Sequence, residues 1–362
     1  MKLLSIDMVK LNLYELFYLY LILLLANTAK SNTMLLVSDE EDMSSEIYDL
    51  DDNKCNKKGP IFPMNKSIAT TRLQGVGGII KDIPIICGFN EASENDGNFC
   101  QLFKCGAWQK GPQLLYQKKD ASAIVMKDKL WITGGNLAGT RPREPSKSTE
   151  LVSQDKSEPF VDLPIAVTEH CITQINSQEF ILTGGYRYNL IGTGGYYSKL
   201  TYIFNIQSKT WKQGQNLRIE RSNHGCAVFR FDATKVVVVA GGGGRISSAG
   251  TTVEFLRMDE LSKGWRLGPK LPWHLEHFPL VASPAEDTLL AFGGNGRFTE
   301  KIEIIERNYT VLEMKCGRSL KDCDWKAKSE RLTTPRSHTV AMWLPKTLDL
   351  CHAGKMYFHS ML

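Results

Sequence analysis

A short apolar run closed by two glycines occurs four times in this chain: LWITGG (Leu130 to Gly135), FILTGG (Phe180 to Gly185), VVVVAGG (Val236 to Gly242) and TLLAFGG (Thr288 to Gly294). The first glycines stand at 134, 184, 241 and 293, so the spacings are 50, 57 and 52 residues. A fainter copy, IICGF with Gly88, lies 46 residues before the first of them. Periods of this size, built from short strands, point to a β-propeller with one blade per repeat. A strand covered on both faces by neighbouring blades reads as a continuous apolar run, as these do. Glycine, with no Cβ, suits the turn by which such a strand leaves the crowded centre.

The rest of each repeat is also patterned. A polar loop follows the doublet, then an alternating strand such as LTYIFNI (Leu200 to Ile206), then a tryptophan: Trp108, Trp211, Trp265 and Trp325. Phe160 is expected to take that place in the second repeat. Leucine-rich turns follow, as at Leu114-Leu115, Asp162-Leu163-Pro164 and Lys270-Leu271-Pro272.

With these residues in view, the chain resembles the kelch-repeat family. The family's diglycine is matched at Gly134-Gly135, Gly184-Gly185, Gly241-Gly242 and Gly293-Gly294. Its aromatic-to-tryptophan spacing is matched by Phe204 to Trp211, with Met258 to Trp265 a degenerate copy. The resemblance runs from about Met34 to the C-terminus. It departs from the pattern at Gly88, which lacks its partner, and in the second repeat, which lacks tryptophan. No Trp-Asp dipeptide closes a repeat, so a tryptophan-aspartate propeller fits less well.

Five repeats run from Arg72 to about Lys328, and two pieces remain. MLLVSDEED with SSEIYDL (Met34 to Leu50) has the pattern of outer strands, and SHTVAMWL (Ser337 to Leu344) that of an innermost one. Joined, they make a sixth blade shared between residues 34–60 and 337–362, which closes the ring and leaves no open edge. The expected fold is therefore all-β: a six-bladed kelch-type propeller over residues 34–362, with diglycines near 88, 134, 184, 241 and 293.

Residues 1–29 read as an export signal. The uncharged run Leu16 to Ala26 follows Lys2 and Lys10 and precedes small residues, with cleavage expected near Ala29. Its eleven residues rise only about 16 Å as a helix, short of the ~30 Å needed to span a bilayer. A secreted, extracellular protein with no membrane association after cleavage is the expectation; a retained anchor, which would extend the run back to Leu11 across Asn12 and Glu15, is the minority reading. In that setting the nine cysteines read as disulfides rather than metal ligands, and no C-x-x-C pair occurs. Cys171 and Cys226 occupy near-equivalent points of adjacent blades. Cys87 with Cys100 makes a within-blade pair, and Cys316 with Cys323 a hairpin clasp. Cys55, Cys105 and Cys351 are left over. Asn65 and Asn308 begin glycosylation triplets, so the mature protein reads as a glycoprotein.

The net charge of +5 is too diffuse for nucleic acid. Because the chain crosses each sheet four times, the loops after the diglycines and the loops entering each new blade share one face. Kelch domains commonly bind partners there, and the resemblance implies the same here. The partner-binding candidates are Arg141, Arg143, Tyr186, Arg187, Tyr188, Tyr196, Tyr197, Arg245 and Arg297. Arginine and tyrosine are favoured interface anchors, and the arginines make an acidic protein or a glycan the hypothesised partner.

His170, His224, His277 and His338 each stand at the entry to a new blade, where a ring could gather them. A shared packing role explains a shared repeat position better than a metal does. No phosphate loop, no G-x-S-x-G elbow and no H-E-x-x-H helix is present. The expectation is a non-enzymatic extracellular binding module without catalytic residues, metal or cofactor. The alternatives are a propeller enzyme of the copper-oxidase or sugar-isomerase type and a purely structural matrix component.

Overall fold

The computed structural model describes residues 30–37, 44–50, 62–63, 75–88, 98–104, 107–137, 144–188, 194–298, 303–305 and 309–345. Six four-stranded antiparallel sheets follow one another around a central channel, and the described residues contain no α-helix. Blade 1 consists of Val76–Ile80, Ile83–Cys87, Phe99–Lys104 and Ala107–Gln113. Blade 2 is Ser122–Met126, Lys129–Thr133, Thr149–Val152 and Ser157–Pro159. Blade 3 is Cys171–Gln174, Glu179–Thr183, Thr201–Asn205 and Thr210–Gln213. Blade 4 comprises Gly225–Phe231, Thr234–Ala240, Val253–Arg257 and Arg266–Leu267. Blade 5 is Leu280–Ala282, Leu289–Phe292, Val311–Lys315 and Asp324–Ala327.

Blade 6 is assembled from both ends of the chain. The C-terminal Val340–Pro345 is its innermost strand, and Lys30–Val37, Ser44–Asp49 and Phe62–Pro63 supply the other three. The seam registers Val37 against Val340 and Lys30 against Pro345. Ring closure by a pair of terminal strands is thus as the patterning implied. It removes the two exposed sheet edges that an open ring would present.

The second strand of each blade explains the apolar runs. In blade 4, Val236 and Val238 pack into a cluster shared with blade 5, while Val237 and Val239 pack toward blade 3. Alternate side chains leave the sheet on opposite faces, so a strand sandwiched between blades buries every one. Between blades 2 and 3 the hub is Trp131, fully buried, with the rings of Phe160, Phe180, Phe204 and Trp211 at 4.8–5.7 Å.

Phe160 does not occupy the tryptophan position of its blade. Its N–H bonds to Thr149 O as that of Gly214 does to Thr201 O. The residue in register with Trp211 is therefore Ser157, whose hydroxyl donates to Glu150. Phe160 fills the same aromatic space from three residues further on.

Each complete diglycine is held by the same two hydrogen bonds. The first N–H goes to its own blade's third-strand entry, as Gly184 N to Leu200 O (3.0 Å), and the second crosses to the next blade, as Gly185 N to Arg221 O (2.8 Å). Both glycines of that pair have positive φ, +61° and +99°. A Cβ on Gly184 would lie 2.6 Å from Arg221 O and 2.7 Å from the His224 ring. The repeat therefore requires glycine for backbone conformation and for close approach of the adjoining blade.

The three expected disulfides are formed: Cys87–Cys100, Cys171–Cys226 and Cys316–Cys323. Cys171–Cys226 staples the innermost strands of blades 3 and 4 and lines the channel. Cys55, Cys105 and Cys351, both glycosylation triplet asparagines and the export signal lie outside the described residues. No helix among the described residues is long and apolar enough to cross a membrane.

Candidate functional site

Four strand crossings per blade put the loops after second strands and those before first strands on one face, called here the upper face. Small accessory sheets knit these loops together. Asn136–Leu137 pairs with Lys118–Lys119, Tyr186–Tyr188 with Gly195–Tyr197, and Asn295–Phe298 with His274–Glu276.

Inside this knitting, five residues preceding the first strands of blades 2 to 6 form a hoop around the channel mouth. Asp120, Glu169, Asn223, His277 and His338 all have φ between 50° and 56°. From Glu169 onward each donates its N–H to the carbonyl of the preceding one: Glu169 to Asp120 (2.9 Å), Asn223 to Glu169 (2.9 Å), His277 to Asn223 (3.0 Å) and His338 to His277 (2.9 Å). Left-handed backbone at five non-glycine positions is costly and persists where surrounding structure over-determines it, commonly at functional sites. The cavity behind the hoop has a volume of about 400 Å³.

The four histidines divide into two kinds. His277 and His338 sit in the hoop with ring centroids 3.9 Å apart. His170 and His224 stand one position later, buried against the diglycines, with Nε2 at 2.9 Å from the hydroxyls of Thr133 and Thr183. Burial pushes the His170 imidazole down to about 3 and that of His224 well below its ordinary value, so both are neutral packing residues. The sequence places the four in one class. The structure separates them by a single residue, and with it by the direction each side chain takes.

Two positions before the hoop lies a set of buried cations absent from the sequence reading. Arg221, fully buried, pairs with Glu254 at 2.8 Å, and Arg336 with Glu46 at 2.9 Å. Lys118 takes the corresponding place in blade 2, donating to Ser148 O at 2.6 Å in the field of Glu150. Burial lowers the Lys118 ammonium to about 8. Each glutamate lies on the third strand of the blade that the cation precedes. The signal was available as Arg221-Ser and Arg336-Ser before the first strands, with Glu150 and Glu254 at matching depths in theirs.

The partner-binding candidates fall unevenly. Arg141 and Arg143 lie outside the described residues, as does the side chain of Arg297. Tyr186, Arg187, Tyr188, Tyr196 and Tyr197 come together on the hairpin above blade 3. Tyr186 meets Tyr188 and Tyr197 edge-on at 5.3 Å each, and the Arg187 guanidinium lies 5.5 Å from the centre of the Tyr196 ring. On the neighbouring loop Arg245 pairs with Glu220 at 3.6 Å and Ile246 is 54% exposed. A second cavity, about 890 Å³, lies at the opposite end of the seam between blades 3 and 4, floored by Ile181, Ile203, Leu256 and Met258.

The fold defines the chain as a six-bladed β-propeller with a loop-built upper face over a polar channel mouth. Compared with known proteins, it matches no family model and no curated sequence.

Proposed function

We propose that this chain is a secreted kelch-type propeller acting as an extracellular protein-binding module through its upper face. The observation that carries the reading is the hairpin above blade 3. There an arginine stacked on an exposed tyrosine stands on a hairpin held by its own two-stranded sheet, and the loop after the second strand of blade 4 adds the exposed Ile246. Rigid aromatic and arginine anchors give large contact area at low entropic cost. Arg187 and Arg245 project where an acidic protein segment or a glycan could meet them, and the channel mouth adds polar groups at the centre. Three disulfides fit an oxidising compartment.

The test is affinity capture from extracellular fluid with the mature chain, compared with a variant carrying Arg141→Glu, Arg143→Glu, Arg187→Glu and Arg245→Glu. Loss of a specific captured partner in the variant supports the reading. Unchanged capture removes the arginine face, and no capture by either protein favours a matrix component.

A further inference from the structure

The channel mouth differs in chemistry from the arginine-bearing rim. Glu169 is fixed twice over: its backbone is locked into the hoop on both sides, and its side chain accepts hydrogen bonds from Ser222 Oγ (2.7 Å) and Asn223 Nδ2 (2.9 Å). Both bonds fall on Oε2, and Oε1 takes none among the described residues. The carboxylate is thus oriented with one oxygen committed to the protein and one left over, at a residue lining the cavity.

Ser222 bridges to Gly243 of the next loop, and around Gly243 two further groups converge. From the point where a Cβ would stand on that glycine, Glu276 Oε2 is 3.1 Å away, Tyr197 Cε1 3.6 Å and the Tyr197 hydroxyl 3.8 Å. Tyr186 stands edge-on to Tyr197, both half-buried. The result is a tyrosine pair flanked by two carboxylates beside the channel mouth, with Glu276 Oε2 also 3.9 Å from His274 Nε2 and a glycine where a side chain would fill the space.

We propose that this mouth, bounded by Glu169, Glu276 and the Tyr186–Tyr197 pair, receives an organic cation: an alkylammonium or guanidinium group, as at the end of a lysine or arginine side chain of a partner. A carboxylate supplies the charge-assisted hydrogen bond, and tyrosine faces attract cations through their quadrupole. The electrostatics agree with this geometry. Burial, with Asp120 and Glu276 nearby, raises the Glu169 carboxyl, its two donors opposing. Burial, Glu169, Tyr186 and Glu276 raise the Tyr197 phenol. A cation would relieve both. An anion would meet carboxylates on two sides, and among the described residues no three ligating groups are placed to hold a metal ion. The inference deepens the upper-face reading, since it names a group the partner carries, but the site exists without any particular partner.

The experiment uses the full mature chain and small probes. Nα-acetyl-lysine N-methylamide, the arginine analogue, free 1,4-diaminobutane and the uncharged norleucine isostere are titrated with NMR detection. The charged probes are expected to saturate, and norleucine to bind at least tenfold more weakly. Glu169→Gln, nearly isosteric, should weaken the charged probes at least tenfold with the thermal midpoint retained. Gly243→Val, which fills the space from a different element, should do the same. Tighter binding of the amino-acid probes than of the diamine identifies a partner side chain as the source, and the reverse order a free amine. Equal binding of norleucine, or undiminished binding to both variants, overturns the proposal. Amine binding by a chain that captures no partner would leave this site standing and bring down the upper-face reading.

Discussion

Removing one member of the buried Arg221–Glu254 pair tests how this ring is held. Arg221 reaches three elements at once: Nη1 donates to Gly241 O (2.6 Å) and Thr252 O (3.1 Å), and Nη2 to Thr252 Oγ1 (2.9 Å) and Glu254 (2.8 Å). Its own carbonyl holds Gly185 of the preceding blade. Glu254 in turn accepts the N–H groups of Arg218 (2.7 Å) and Ile219 (3.1 Å). At this separation the Coulomb attraction is about 6 kcal/mol for an effective dielectric constant near 20, set against a desolvation penalty of several kcal/mol for each ion. The pair is therefore close to neutral as a pair and expensive to break. Arg221→Met should cost about 3–5 kcal/mol by leaving a carboxylate with two backbone donors and no counter-charge. Glu254→Gln should cost less, because the guanidinium keeps its carbonyl acceptors. The double variant Arg221→Met/Glu254→Met should recover much of the single-variant loss. Urea unfolding of the four proteins gives the cycle. An Arg221→Met loss below about 1 kcal/mol, or losses that simply add in the double variant, would refute the account, since contacting charges are expected to couple by about 0.5–3 kcal/mol.

Further outcomes follow from the same structure. Gly184→Ala should destabilise by at least ~2 kcal/mol, from left-handed backbone and a Cβ driven against Arg221 O and His224; calorimetry reads it, and an unchanged midpoint argues against the diglycine account. Acid should weaken the fold through His170, whose folded value of about 3 lies below the unfolded ~6.5. The unfolded chain binds the extra proton in that window, so stability is full above pH ~6.5 and falls as pH drops toward 3, by up to about 1.4 kcal/mol per pH unit for each such histidine. His170→Gln should flatten the slope between pH 6 and 4 in denaturant titrations, and an unaltered slope counts against it. Trp131→Ala should cost about 3–5 kcal/mol by emptying the hub between blades 2 and 3. Non-reducing peptide mapping should recover Cys171 and Cys226 joined, and free thiols at both would contradict the channel staple.

The ring was legible because its causes repeat. Val236 to Ala240 can be apolar throughout only where both faces are covered, and Gly241-Gly242 marks the exit. Cys171 and Cys226 stand nearly in phase, so repeat position alone paired them. The channel mouth was not legible, because its members share a place and not a residue type. Asp120, Glu169, Asn223, His277 and His338 are aligned by φ and by a chain of backbone hydrogen bonds, which no single side chain announces. The histidines were misgrouped for the same reason. A one-residue offset is invisible when blade lengths vary, yet it decides whether an imidazole meets a threonine or the channel. Glu150 and Glu254 look like surface charges on alternating strands until Lys118 and Arg221 are folded onto them.

The seam of blade 6 also sets a direction for the whole molecule. Lys30 opens a strand that runs toward the upper face, and Pro345 ends one that runs away from it, so the two residues meet at the far rim. Lys30 and Pro345 themselves therefore stand on the side opposite the loops. A tether introduced at either of these two residues would therefore hold the ring like a plate on a stalk, with the channel mouth and its tyrosines turned outward. A label or surface attachment at either residue should leave recognition unobstructed, whereas immobilisation through lysines or arginines of the upper loops should mask it.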